Sequence, residues 1–326
     1  MTKIINVKGR QVFDSRGNPT VEAEIFLDTN ISATAISPSG ASTGAFEACE
    51  LRDENPNFFL GKSVIKAVNN INSKISPALK NIDPNEQSKI DNILLSIDGT
   101  ENKKNLGANA ILSVSLAAAK VASISKKTSL YKNFGQKFSL PYPLMNIING
   151  GVHADNDLNI QEFMIRPDSA KNFSQAVEHC FLVIQSLKKI LKSKKMLTNV
   201  GDEGGFAPSI NSNEEALNLI VDSIEKTKLI PGKDIVICLD VAANELKNKD
   251  GFYSIQSNQF YSVEDVIKYY KKLSNAYPIK SIEDPFGEND WPAWKKITAE
   301  LGKTIQIVGD DLFVTNTKRL QNGIDD

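Results

Sequence analysis

Carboxylates recur where short apolar runs end. Asp202 and Glu203 follow Thr198–Val200, Asp240 follows Ile235–Leu239, Glu283 and Asp284 follow Ile279–Ile282, and Asp310 and Asp311 follow Ile305–Val308. Each group stands about one strand–helix unit beyond the last. If the runs are strands that share a direction, their ends deliver these acids to one edge of a sheet. Carboxylates gathered there cannot all stay ionised without compensation, and a cation is the natural remedy. Oxygen donors, with one histidine at most nearby and no cysteine, favour Mg²⁺ or Mn²⁺ over zinc. The plainer alternative is that each acid caps the following helix or solvates a loop. Four successive strand ends carrying acids weigh against it.

Other polar groups stand near the first apolar runs. Asn149-Gly150-Gly151 follows Leu144–Ile148, with His153 just beyond, and Gln161 and Glu162 are set inside Ile160–Ile165. A carboxylate flanked by Phe163, Met164 and Ile165 has to pair or line a cavity, because an unpaired buried charge is too costly. His153 is open between a site residue and an ordinary core histidine. His179, in the helical stretch Ser174–Lys188 without an acid pattern around it, reads as a plain helix residue. Ser39-Gly40-Ala41-Ser42-Thr43-Gly44 suits a mobile loop able to close on an anionic ligand. It is not a P-loop, since no lysine follows the last glycine, and a simple turn remains the alternative.

The elements that must position these groups follow from hydrophobic period. Residues 1–37 read as an antiparallel meander, with Val21, Ala23, Ile25 and Leu27 at the two-residue spacing of a half-buried strand. From about residue 60 to 133 the period becomes helical, most clearly over Ala108–Ser125. Gly135–Pro143 carries a glycine and two prolines and reads as a boundary. The expected domains are therefore 1–135, a small α+β unit, and 136–326, an α/β unit. In the latter, apolar runs alternate with helical stretches such as Glu214–Lys226 and Val263–Leu273. That alternation implies a parallel sheet buried on both faces, either doubly wound or a (β/α) barrel. The acids at the strand ends favour the barrel, whose active sites lie at that face.

The chain has 326 residues, with 38 Lys and Arg against 39 Asp and Glu, two histidines and three cysteines. Such a balance argues against a nucleic-acid binder. No apolar run is expected to approach the ~18 residues that cross a bilayer, and the N-terminus MTKIINVKGR lacks a signal-peptide core. Cys49, Cys180 and Cys238 are scattered and set in apolar surroundings, so a disulfide framework is not expected. A cytoplasmic protein without membrane insertion is the expectation.

Taken together, the segments resemble the enolase family in its bacterial form. The blocks that carry the resemblance are DSRGNPTVE (14–22), SGASTG (39–44), GANAILSVSLA (107–117), NGGVHADN (149–156), IQEFM (160–164), GDEGGFAP (201–208), SIEDPF (281–286) and VGDDL (308–312), in order along the chain. The resemblance implies an α+β capping domain followed by an enolase-type (β/α) TIM barrel. It implies phosphopyruvate hydratase activity, a hydro-lyase reaction of glycolysis that interconverts 2-phospho-D-glycerate and phosphoenolpyruvate. Two Mg²⁺ ions are implied per active site; sites of this superfamily are a known instance of a base working beside Mg²⁺. By motif position, Asp240, Glu283 and Asp310 would hold the first ion and Ser42 the second. Glu203 would be the general acid, supported by Glu162. His153, Gln161, Glu162 and Asp310 would meet the substrate. A homodimer is implied, in which the family sets the position of Glu22 against an arginine near its C-terminus. Cell-surface presence is known in the family and is implied by resemblance only.

Departures from the family pattern set further expectations. Six barrel strands can be counted where the family has eight, and the domain expected after residue 135 has roughly 190 residues against the ~250 usual for a barrel. The family's base lysine follows the seventh strand, its phosphate-gripping His-Arg-Ser cluster follows the eighth, and neither finds a counterpart here. The expectation is a barrel truncated after about six of eight strands, inactive and poorly folded by itself. A truncated or surface-binding copy is the alternative function.

Overall fold

A computed structural model describes residues 2–40, 44–201, 204–256 and 259–326, in two compact units, residues 1–138 and 139–326.

The first unit begins with the meander expected: β1 (Ile4–Phe13), β2 (Pro19–Leu27) and β3 (Ser32–Ser37), antiparallel in that order. Val21, Ala23 and Ile25 are fully buried, as their two-residue spacing requires. Against them pack α1 (Ile65–Asn70), which runs through a π-helical turn (Ile71–Ile75) into α2 (Ser76–Leu79), then α3 (Gln87–Asp98) and α4 (Ala108–Ser125). By length and composition α4 could cross a membrane, contrary to the expectation of no such run. Its apolar character is that of a core helix: Ala110, Val114, Ala117, Ala118 and Val121 are buried in the same core as β2.

The second unit holds a five-stranded sheet in the order β10-β9-β6-β5-β4. Its strands are β4 (Met145–Asn149), β5 (Glu162–Arg166), β6 (Val236–Asp240), β9 (Ile279–Glu283) and β10 (Gln306–Val308). A separate hairpin, β7 (Tyr253–Gln256) with β8 (Gln259–Tyr261), lies between β6 and β9 in sequence. The helices are α5 (Phe173–Ser193), α6 (Asn213–Glu225), α7 (Val263–Ala276), α8 (Trp291–Leu301) and α9 (Thr317–Asp325). Side-chain oxygens of Asn172, Ser212 and Ser262 cap the first free N–H groups of α5, α6 and α7.

Two expectations are corrected here. The sheet is mixed rather than parallel: β5 runs antiparallel to both β4 and β6, while β6, β9 and β10 are parallel. The cause is connectivity. No α-helix separates β4 from β5, so the chain returns in the opposite direction. Two helices, α5 and α6, separate β5 from β6, and a helix pair brings the chain back to the end it left. The second correction concerns Thr198–Val200, which is not a strand. Val200 is 64% exposed and makes a single antiparallel bridge to Phe206. It is Phe206 that adds to the sheet, through Phe206 N–H to Ile147 O (2.9 Å) and Asn149 N–H to Phe206 O (2.8 Å). Gly205, at φ +72°, permits that approach; a Cβ there would meet the Ile147 carbonyl carbon at 3.0 Å.

The sheet's two faces differ. Phe163, Ile165, Ile237, Leu239 and Ile282 point into the main core, shared with Val183 and Leu187 of α5, Ile220 of α6, Tyr270 of α7 and Ile297 of α8. Met164, Val236 and Cys238 form a small buried cluster on the other face. By strand alternation Glu162 lies on the face of Met164, and Asp240 on that of Cys238.

Candidate active site

One line of residues crosses the sheet: Asn149 pairs with Glu162, Glu162 with Asp240, Asp240 with Glu283, and Glu283 with Val308. The reversal of β5 makes this line possible. Glu162 is the first residue of its strand, yet it stands beside the last residues of β4 and β6. Asp310 and Asp311 follow two and three residues after the end of the line.

Hydrogen bonds tie the line together. Gln161 donates its main-chain N–H to Asp240 O (3.0 Å) and its amide Nε2 to Asp240 Oδ2 (3.3 Å). Ala242 N–H donates to Asp240 Oδ1 (3.1 Å). Asn149, fully buried, accepts from Asn146 at Oδ1 (2.6 Å) and donates to the Gly204 carbonyl. His153 Nδ1 stands 3.5 Å from Glu162 Oε1, with the histidine side chain only 8% exposed. Among the described residues neither ring nitrogen of His153 has a hydrogen-bond partner. A buried ring with two unused polar atoms beside a carboxylate is the arrangement of a ligand-facing histidine.

The carboxylates repel one another. Asp240, Glu283 and Asp284 each bring an oxygen within 4.8 Å of the other two. Among the described residues none of them forms an ion pair with lysine or arginine. Burial, and then the charges of Glu283 and Glu162, push Asp240 up to about 8. Glu283 rises to about 7 through burial and then the charges of Asp284, Asp310 and Glu162. Burial likewise lifts Asp284 to about 7, against hydrogen bonds from the following loop. An all-oxygen donor set whose negative charges lack internal compensation fits a hard divalent cation.

Of the residues expected from sequence, Glu162, Gln161, Asp240 and Glu283 lie on or beside the line, and His153 next to it. Asp310 is exposed and near enough to Glu283 to raise its carboxyl. Ser42 and Glu203 lie outside the described residues. Sequence reasoning noted Asn149 and Asp284 at strand ends without giving either a role, and did not note Asn244. Asn244 Nδ2 donates to Asp311 Oδ2 (3.1 Å). For Asp284 the signal was present: two adjacent acids after a strand cannot both follow its alternation to one face.

The profile of the enolase N-terminal domain matches residues 4–134, and that of the enolase C-terminal TIM barrel domain matches residues 137–326. The chain belongs to the enolase family. The enolase of Pelagibacter ubique is 59% identical over 325 residues, which cover 99% of this chain and 77% of that protein. The five-stranded sheet of the second unit thus belongs to an enolase-type barrel domain, and the acid line crosses it.

Proposed function

We propose that this member of the enolase family is a phosphopyruvate hydratase, a Mg²⁺-dependent hydro-lyase that reversibly dehydrates 2-phospho-D-glycerate to phosphoenolpyruvate. The observation that carries the reading is the cluster of Asp240, Glu283 and Asp284, whose oxygens lie within 4.8 Å of one another beside Glu162, in a chain of this family. Asp240, Glu283 and Asp310 hold one Mg²⁺ and Ser42 a second. Bound Mg²⁺ supplies positive charge at the substrate carboxylate, which makes the proton on the neighbouring carbon easier to remove. Glu203 donates a proton to the departing C3 hydroxyl, a role assigned from the GDEGGFAP block. Glu162 keeps negative charge close to that step. His153, whose ring nitrogens have no partner among the described residues, and Gln161 meet the substrate and orient it. No residue here is assigned the role of base.

In the native protein, 2-phosphoglycerate and Mg²⁺ should give growing ultraviolet absorbance from phosphoenolpyruvate. Glu203→Gln should slow it by about 100- to 10,000-fold, the range for a positioned acid. Activity that persists in chelator, or a Glu203→Gln variant as fast as the parent, overturns the reading. A cytoplasmic homodimer is proposed on family resemblance; sedimentation velocity at the mass of one chain argues against the dimer.

A further inference from the structure

Asp284 has features that set it apart from the other acids. It is 4% exposed and holds the left-handed backbone conformation, φ +41°, a region that aspartate tolerates better than most side chains. Its main chain is held from both sides: its N–H donates to Val308 O (3.0 Å), and its carbonyl accepts from Ala243 N–H (3.1 Å). Its carboxylate is turned to the loop after β10. Oδ1 accepts from the N–H groups of Asp310 (3.2 Å) and Leu312 (3.4 Å), and Oδ2 accepts from Asp310 (3.3 Å) and Asp311 (2.8 Å).

From this geometry we infer that Asp284 is a positioning residue: it holds Asp310 in place for the metal and is not itself a ligand. The inference rests on the reading that Asp240, Glu283 and Asp310 hold Mg²⁺. By distance alone Asp284 could serve as the third donor, since its oxygen lies with those of Asp240 and Glu283. Its surroundings argue otherwise. Three backbone N–H groups point their positive ends at the two oxygens, which is how a protein seats an anion. Cation binding at those oxygens would compete with the N–H groups already there. Asp310, in contrast, is exposed and anchored by its own N–H, so its side chain is available.

The same loop is restrained from further along. Asn244 grips Asp311 Oδ2 (3.1 Å) while accepting from Glu288 N–H (2.7 Å). Buried Arg319 donates to the carbonyls of Leu312 and Glu288 and lies 5.3 Å over the Trp291 ring. The loop is therefore fixed before any metal arrives, and Asp284 is its contact nearest the acid line.

The test pairs amide exchange in metal-free protein with calorimetric titration of Mg²⁺ alone. The amides of Asp310, Asp311 and Leu312 should be protected in the parent. Asp284→Ala should lose that protection and bind Mg²⁺ about 10–100-fold more weakly, the usual effect of removing an outer partner. Asp284→Asn, which keeps one acceptor oxygen in the same shape, should retain part of both and serves if the alanine variant fails to fold. Unchanged exchange at the three amides in Asp284→Ala, or unchanged Mg²⁺ affinity, overturns the inference. So does an Asp284→Asn variant that loses Mg²⁺ as fully as Asp240→Asn with its amides still protected, because that is the behaviour of a ligand. If neither Asp240→Asn nor Asp310→Asn weakens Mg²⁺, the metal-site reading fails instead, and the exchange data still decide whether Asp284 holds the loop.

Discussion

Glu22 and Glu24 on β2 share the guanidinium of Arg10, 2.5 Å from each carboxylate, whereas Asp240, Glu283 and Asp284 stand among other carboxylates, Glu162, Asp310 and Asp311 included. The Glu24 carboxyl is held below its ordinary range, chiefly by the Arg10 hydrogen bond. The three acids of the second unit are pushed well above theirs, first by burial and then by like charge. Alternation along β2 sets Glu22 and Glu24 side by side, and pairing across strands sets Asp240 beside Glu283. The difference is that in one a cation is built into the neighbouring strand, and in the other no lysine or arginine among the described residues pairs with Asp240, Glu283 or Asp284. Acids that stabilise a sheet and acids that serve a site can thus look alike in sequence and differ in what faces them.

The largest expected effect that would sharpen this contrast comes from Glu283→Gln. Removing a metal donor should weaken Mg²⁺ by more than the roughly 100-fold that loss of an outer partner can cost. Relief of like-charge repulsion should at the same time raise the melting temperature of the metal-free protein at pH 8. A variant both weaker in Mg²⁺ and lower in melting temperature would break the comparison.

Next in size is the pH dependence, which runs in opposite directions in the two units. The Asp240 carboxyl has an unfolded value near 3.8 and is pushed up to about 8 in the fold. Between those values the native form binds more protons, so metal-free stability falls as pH rises from about 4 to about 8. Glu24 acts the other way: its contribution is present above its unfolded value of 4.5 and is lost as pH falls through its lower folded value. Because Mg²⁺ must displace bound protons, its affinity should rise up to about tenfold per pH unit for each proton released between pH 6 and 8. Denaturant melts from about pH 3 to 8, with Mg²⁺ titrations from pH 6 to 8, check both signs.

Arg10→Ala should have the smallest effect. The Arg10 side chain is 36% exposed, so its two ion pairs are screened, and the loss should be about 1 kcal/mol or less by denaturant unfolding. Mg²⁺ affinity should not change. A larger loss would mean that the first unit's acids depend on their cation as strongly as the site's acids do.

Much of this arrangement was legible in the sequence, and the rest was hidden for physical reasons. Ala108–Ser125 is helical at both expected ends, because its composition and periodicity agree. Asp240 and Glu283 close their strands as their apolar runs imply. The reversal of β5 was not legible, since strand direction depends on how many helices intervene, and an apolar run reads the same in either direction. Thr198–Val200 misled because three residues carry too little period to separate a strand from a loop, and the glycines that turn the chain toward Phe206 act through backbone angles. The loop-holding role of Asp284 depends on a left-handed backbone and on N–H groups more than twenty-five residues away, which no local pattern records.

The central claim is that Asp240 and Glu283 are donors to a divalent cation, whose binding displaces protons from them. Calorimetric titration of Mg²⁺ near pH 7, in two buffers of different ionisation enthalpy, counts the protons released on binding. The account predicts release of about one proton or more from the parent and clearly less from Asp240→Asn. Mg²⁺ binding without proton release, or equal release from both proteins, would contradict it.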